Sequence, residues 1–366
     1  MAEDYQGGSG TERVGRRPSP PSDDELSLLS AVRSAAAAVG ESASKYLGAA
    51  ERLVVVARES AESEKSRARA NLERATAIAR NKGAQQVAEF RSGAVEAANG
   101  LVHGLRSAAW ADVSSLSPAS ALDVGDYVGI GTLTLEGREI GVVHEDSSIP
   151  AVVPLLDRGN VIVRSDALDE RLVNALNLLT LRELVCTGPG QLAIESFDPS
   201  LRATVAPFVA LRSAAEELLP LSRSTEEELD DLLRDLTTDV KRIRELYRGG
   251  RTSLGEYRSS TGQPIEGYQL VIVRDFPRDW SNRALKQLQT LLESGPSCGI
   301  SFLIHHDPAQ PPLGDADPKW IYDHGVAIDL LAPDGVPRLS IAPRFRLDIE
   351  AAPELGDMEA IVRGVA

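Results

Sequence analysis

The stretch Val161-Ile162-Val163-Arg164-Ser165-Asp166-Ala167-Leu168-Asp169-Glu170 decides the fold. Its first three residues are β-branched and apolar, the composition of a short buried strand. Its last residues open an amphipathic helical pattern that continues to Cys186. A strand that turns through a few polar residues into a helix is one unit of an α/β protein.

The same unit repeats downstream. Leu192-Ala193-Ile194-Glu195-Ser196-Phe197 reads as a second strand, closing on Asp198-Pro199. Ser224-Thr225-Glu226-Glu227 offers a helix cap and first-turn carboxylates for a long helix over 224–247. Gln269-Leu270-Val271-Ile272-Val273 is a third strand, and 281–294 is a helix with Leu285, Leu288, Leu291 and Leu292 on one face. Gly299 through Ile304 gives a fourth strand, while Val326–Leu330 and Arg338–Ile341 read as terminal strands. Short apolar strands alternating with helices predict a mainly parallel sheet with helices on both faces. The expected bounds of this α/β domain are 151–345, with a tail or short helix over 346–366.

Upstream the composition changes. Residues 1–23 are Gly, Pro, Ser and charge, as in Arg16-Arg17-Pro18-Ser19-Pro20-Pro21, and predict a disordered tail. Residues 24–111 are rich in Ala, Glu, Arg, Ser and Leu. Leu26, Leu29, Val32, Ala36 and Val39 recur at helical steps, as do Leu72, Ala75 and Ile78. This pattern predicts an antiparallel coiled-coil arm turning near Gly40/Gly48 or Asn81-Lys82-Gly83. About 40 helical residues would reach about 60 Å, enough for oligomerisation or partner docking through 25–110. A solvated lid folded on the next domain is the other reading. A linker with Pro118 and a small β-segment fill 112–150, the segment being a hairpin of 127–135 and Ile140–Val143 about a Glu136-Gly137 turn. Gly129 and Gly131 do not make a dinucleotide loop, because the third glycine and the following helix are missing.

The bulk numbers bound the function. The formal net charge is −15 over 366 residues, which speaks against a direct nucleic-acid binder. Two distant cysteines, Cys186 and Cys298, form neither a metal-ligand spacing nor a disulfide framework, so a reducing cytoplasm is the simplest compartment. No apolar run reaches spanning length, and the N-terminus lacks a basic-then-apolar signal.

The order of pieces over about 150–310 resembles the motor domain of FtsK/SpoIIIE-type DNA translocases, in the HerA/FtsK branch of P-loop ATPases. The residues that carry it are Pro154-Leu155-Leu156-Asp157-Arg158-Gly159-Asn160 entering the first strand, Phe197-Asp198-Pro199, Val271-Ile272-Val273-Arg274-Asp275-Phe276, and Ser294-Gly295-Pro296-Ser297-Cys298-Gly299 leading to His305-His306-Asp307. More narrowly it is similar to the degenerate first module of large actinobacterial FtsK-like proteins, a RecA/P-loop-type domain without its phosphate loop that precedes an intact motor. The resemblance places Arg274 and Asp275 at the Walker B position and His305 and His306 at the sensor position. In one register Arg274 replaces the magnesium-orienting Asp and Asp275 the catalytic Glu. In the other Asp275 remains the metal-side carboxylate and the base is lost. Asp275 can equally be a helix cap or a loop anchor.

The phosphate loop itself is judged without the family. A working loop needs Gly-x-x-x-x-Gly-Lys-Ser/Thr, whose backbone amides cradle phosphates and whose hydroxyl holds Mg²⁺. The corresponding residues are Arg164, Ser165, Asp166 and Ala167, followed by Leu168-Asp169-Glu170. They supply no glycine, no lysine and three carboxylates in a field that would otherwise favour an anion. The expectation is a pseudo-ATPase with no cofactor and no metal, scaffolding or regulating a separate ATP-driven DNA translocase. Its partners would be an intact FtsK-like motor, or itself through 25–110, with DNA reached only indirectly and no membrane contact. Two alternatives stand. One is a weak ATP/Mg-dependent ATPase completed in an oligomer, with Arg244 or Arg248 acting in trans. The other is a plain coiled-coil interaction protein. His305-His306-Asp307 as a metal cluster and Ser297-Cys298 as a nucleophile each lack the further ligands or orienting group such a site needs.

Overall fold

The structure is a computed structural model, and it describes residues 119–135, 147–247, 252–312 and 317–365, together with helical positions between Val32 and Glu96 of which 72–83 is the longest run. The expected tail over 1–23, most of the coiled-coil arm, and the expected strand at Ile140–Val143 lie outside the described residues.

The chain runs β1 (Tyr127–Leu135), β2 (Ser147–Pro154), β3 (Val161–Arg164), α1 (Glu170–Cys186), β4 (Leu192–Phe197), α2 (Ala210–Ala214), α3 (Glu226–Leu246), α4 (Leu254–Thr261), β5 (Tyr268–Phe276), α5 (Asn282–Ser294), β6 (Ile300–His306), β7 (Val326–Asp329), β8 (Arg338–Leu339), β9 (Arg346–Ile349) and α6 (Leu355–Val365). Six strands form one sheet in the order β4-β5-β6-β3-β7-β8. The first five are parallel neighbours and only β8 runs against its partner. All of β6 is buried, and so is β5 apart from Gln269. Strands buried at successive positions are covered on both faces, which is the reason their sequences read as continuous apolar runs rather than alternating ones. The expected α/β class with a mainly parallel sheet is the one observed.

The helices start where the sequence supplies caps. Thr225 and Glu228 form a reciprocal capping box at α3, Ser281 caps α5, and Ser253 caps α4. Leu229, Leu232, Leu233, Leu236, Val240 and Ile243 make the buried stripe of α3, which packs on α5. On another side α1 packs on α6 and on β1.

The small β-segment differs from its expected form. β1 pairs antiparallel with β2, which extends across residue 151 to Pro154, and on its other edge with β9. The residues after 345 form a strand of the small sheet followed by the short helix α6. The two ends of the α/β domain are tied together by this sheet. Asn160 fixes the entry to β3: its Nδ2 donates to the carbonyls of Leu292 and His324 at 3.0 and 2.9 Å, and its Oδ1 accepts from Phe302 N at 3.0 Å.

Strand order reverses at β3. The chain leaves β3 for the far edge at β4, returns through β5 and β6, then passes to the other side of β3 at β7. Crevices at such reversals, beyond the carboxyl ends of the strands, are where α/β sheets bind ligands. In this chain the ends are Arg164-Ser165, Asp198, Arg274-Asp275, His305-His306 and Asp329.

Candidate functional site

The junction between β3 and α1 is closed by its own side chains. Asp166 Oδ1 accepts the Leu168 amide at 2.8 Å. Asp169 caps α1 by accepting the Arg171 amide at 2.9 Å. The Arg171 guanidinium grips the Asp169 carboxylate and also donates to the carbonyls of Leu330 and Gly335. That contact with Arg171 holds the Asp169 carboxyl below the usual carboxylate range. An ionised Asp169 thus occupies the positive end of the helix where a phosphate would otherwise sit. Ser165 is fully buried, with its amide on the His306 carbonyl at 3.1 Å. The expected site residues Arg164, Ser165, Asp166 and Ala167 are brought together here as a braced turn.

At the end of β5 the strand carries an extra residue. Val273 faces Ile304 and Phe276 faces His306, so three steps on β5 match two on β6. The bulge falls on Arg274-Asp275, and Asp275 takes a left-handed φ of 52°. Bulges beside a crevice re-aim side chains, and Asp tolerates this backbone better than most residues. Asp275 is neither exposed nor a helix cap: its carbonyl accepts the Arg278 amide at 2.8 Å, which makes it the anchor of the loop into α5.

His305 locks this bulge to the β3 junction. The Asp275 amide donates to Nδ1 at 3.1 Å, and Nε2 lies 3.3 Å from the Ser165 carbonyl. A ring that accepts at Nδ1 carries its proton at Nε2 and donates it to Ser165. Asp275 Oδ1, also 3.1 Å from Nδ1, is then left without a donor, with Arg274 Nε 4.0 Å away. Burial raises the Asp275 carboxyl, while the Ser200 hydroxyl and the Arg274 charge act to lower it.

His306 points elsewhere, as alternation along a strand requires. Its Nδ1 meets the Tyr322 hydroxyl, and its ring lies edge-on to Tyr322 and tilted against Phe276. Burial, with the Arg164 charge, pushes it down to about 4. Arg164 in turn pairs with Asp329 through two contacts of 2.9 and 3.1 Å across β3 and β7. His305 and His306 therefore do not converge on one ligand, and among the described residues no group of three or more His, Cys, Asp or Glu is placed to hold a metal. Ser297 and Cys298 lie at the other end of β6, where Cys298 Sγ is buried 3.2 Å from the Tyr247 hydroxyl. Arg244 is an exposed charge in the last turn of α3, and Arg248 lies outside the described residues.

Three members of the crevice were not identified in the sequence as site residues. Asp198 is 2% exposed and accepts from the Arg202 amide and the Thr204 hydroxyl with one oxygen. Ser200 receives Arg278 Nη1 at 2.9 Å. Tyr322 holds His306. The Asp-Pro after β4 was the available signal for the first, since a carboxylate at a strand end is well placed for the crevice.

These features define the chain as a three-layer α/β protein whose strand ends beside the order reversal carry a braced cluster of buried polar side chains. No protein-family model matches the chain, and no curated protein matches it. Among solved structures it is similar to EssC (ATPases 2 and 3) from Geobacillus thermodenitrificans, at 14% identity and a TM-score of 0.49 over 68% of this chain and 49% of that one. It is also similar to the cytoplasmic domain of the Thermomonospora curvata type VII secretion ATPase EccC, at 15% identity and a TM-score of 0.48 over 68% and 32% of the two chains. A third likeness is to the cytoplasmic domain of EssC, at 14% identity and 0.43 over 65% and 48%. The chain spans between a third and half of the length of these proteins. At such scores the strand order and buried parallel strands of the chain itself remain the ground for its fold class. No helix among the described residues is long and apolar enough to cross a membrane.

Proposed function

We propose that this chain is a catalytically inactive, motor-like module that scaffolds or regulates a separate ATP-driven DNA translocase. The observation that supports it most is the β3–α1 junction. Carboxylates from Asp166 and Asp169 already take the turn and helix amides, and Arg171 braces one of them across to the carbonyls after β7. A triphosphate entering there meets two fixed negative charges instead of free amides and a lysine. The charge of −15 directs the module toward protein partners, with any DNA contact made through them. The partner in this reading is an intact FtsK-like motor in the cytoplasm, or a second copy engaged through 25–110.

The test is calorimetric titration of the full chain with ATP and Mg²⁺, alongside a phosphate-release assay across a range of protein concentrations. The proposal expects no saturable ATP isotherm and no turnover. A saturable isotherm with magnesium-dependent turnover overturns it. Hydrolysis that rises with protein concentration and vanishes in Asp275→Ala would establish the oligomer-completed ATPase instead.

A further inference from the structure

The Arg274 guanidinium is 2% exposed, yet it makes no hydrogen bond within the described residues and its Nε has no acceptor. Two carboxylates from the ends of adjacent strands are equally incomplete. Asp198 and Asp275, 2% and 1% exposed, each keep one buried oxygen, Oδ1, without a donor. The three groups are neighbours: Arg274 Nε lies 4.0 Å from Asp275 Oδ1, and the parallel β4–β5 register, with Phe197 opposite Val273, puts Asp198 at the strand end next to Arg274. Buried carboxylates require a counter-charge, and a buried guanidinium requires the same. Arg202, the next cation along, is exposed on the loop after β4 and bonds Asp198 only through its backbone amide.

Two carboxylates at neighbouring strand ends, with the Ser200 hydroxyl on Asp275, are the oxygen donors a hard divalent cation takes. We infer that Arg274 is the resident cation of the Asp198–Asp275 pair and keeps a divalent metal ion out of a pocket those oxygens would otherwise ligate. The bulge at Arg274-Asp275 supports this, because the extra residue lets consecutive side chains serve one crevice where a regular strand would send them to opposite faces. The inference deepens the reading of an inactive module and rests on it: the crevice is neutralised from within, and its charge balance owes nothing to magnesium.

The experiment is a Mn²⁺ titration of the full chain followed by electron paramagnetic resonance of the free ion, at physiological ionic strength. The chain's negative charge gives every variant a weak background, so differences between variants are the readout. Wild type and Asp198→Asn should take up the same number of ions. Arg274→Ala should gain one saturable site per chain, at least tenfold tighter than the background, and Arg274→Ala/Asp275→Asn should lose it. If Arg274→Ala does not fold alone, Arg274→Met keeps the stem, and recovery of a cooperative melt on adding Mn²⁺ supports the inference. No gained site in a folded variant, or no recovery of an unfolded one, overturns it. A Mn²⁺ site in wild type that disappears in Asp198→Asn overturns it as well. ATP turnover by wild type would sink the inactive-module reading and leave these outcomes unchanged, so the two failures are distinguishable.

Discussion

Asp157 should make stability fall with rising pH, and the size of the effect can be worked from its surroundings. It follows β2 with a left-handed φ of 63°. Its carboxylate accepts Ser253 Oγ at 2.7 Å and the Gly255 amide at 3.0 Å, fastening the start of α4. A side chain on Gly255 would collide with it, since a Cβ there would lie 2.5 Å from Asp157 Oδ2. Burial pushes the carboxyl up to about 6, against the two hydrogen bonds and the Arg158 charge. The unfolded chain ionises near 3.9, so the gap is about two pH units at about 1.4 kcal/mol each, or ~3 kcal/mol at most. The folded pKa lies above the unfolded one. The contribution is therefore full below about pH 4 and is lost as pH rises through about 6. Asp157→Asn keeps an acceptor for Gly255 and tolerates the left-handed backbone. It should match wild type at pH 4 within about 1 kcal/mol. At pH 7 it should exceed wild type by about 2–3 kcal/mol in urea unfolding. A wild-type minus variant difference that stays flat from pH 4 to 8 would refute the reasoning, because other titrating groups cancel in it.

Asn160→Ala should cost about 3–5 kcal/mol in urea unfolding, since it strips partners from three backbone groups at the core of the sheet; a loss under about 1 kcal/mol would contradict the assigned bonds. Glu183 is fully buried, burial raises its carboxyl well above the usual range with Asp126 adding to the rise, and neither oxygen has a hydrogen-bond donor. Its folded pKa is raised, so it destabilises the fold increasingly above the ordinary carboxylate range, and Glu183→Met should raise the melting temperature at pH 8 more than at pH 4. Gly131→Ala should separate β1 from β9, because a Cβ there would fall 2.0 Å from the Asp348 carbonyl oxygen at a φ of 145°. A loss of at least about 2 kcal/mol is expected by the same unfolding assay, and an unchanged midpoint would show that the pairing is wrong.

The parallel strands were legible because burial on both faces leaves no choice of residue. Val161-Ile162-Val163 and Leu270-Val271-Ile272-Val273 can be little else. The small sheet was harder to read. β2 contains Pro150, Pro154 and two serines, and its pairing partner is fixed by contact with β1 rather than by its own pattern. β9 alternates Arg346, Leu347, Asp348 and Ile349 with a period of two, but four residues at the end of a chain carry little weight without the strand they join. α4 escaped notice because only Leu254 and Arg258 of its eight residues are buried, so it has no apolar stripe to detect. Gly129 and Gly131 show the same limit from the other side. Their meaning is a register shift in β1 and the close approach of β9, neither of which is a local property.

The site divides along the same line. Asp166 and Asp169 act on amides two residues away, so their effect on the junction could be reasoned from spacing. The meaning of Arg274 could not, since it depends on Asp198 from a neighbouring strand. Backbone strain adds an independent argument that this end of the sheet is kept for use. Of six described non-glycine residues with positive φ, four lie near Arg274: Asp275 at the end of β5, and Leu201, Ala203 and Asp279 on the loops after β4 and β5. Each costs on the order of 1 kcal/mol or more unless its surroundings over-determine it. Glycine at those positions would relieve the cost, and nothing in phosphate binding at β3 calls for them. Leu201 is 73% exposed, so its side chain is not retained for the core of the single chain. A strained loop that presents an apolar side chain over a self-neutralised crevice is a surface held in shape. That is what the proposed module acting through a partner would require.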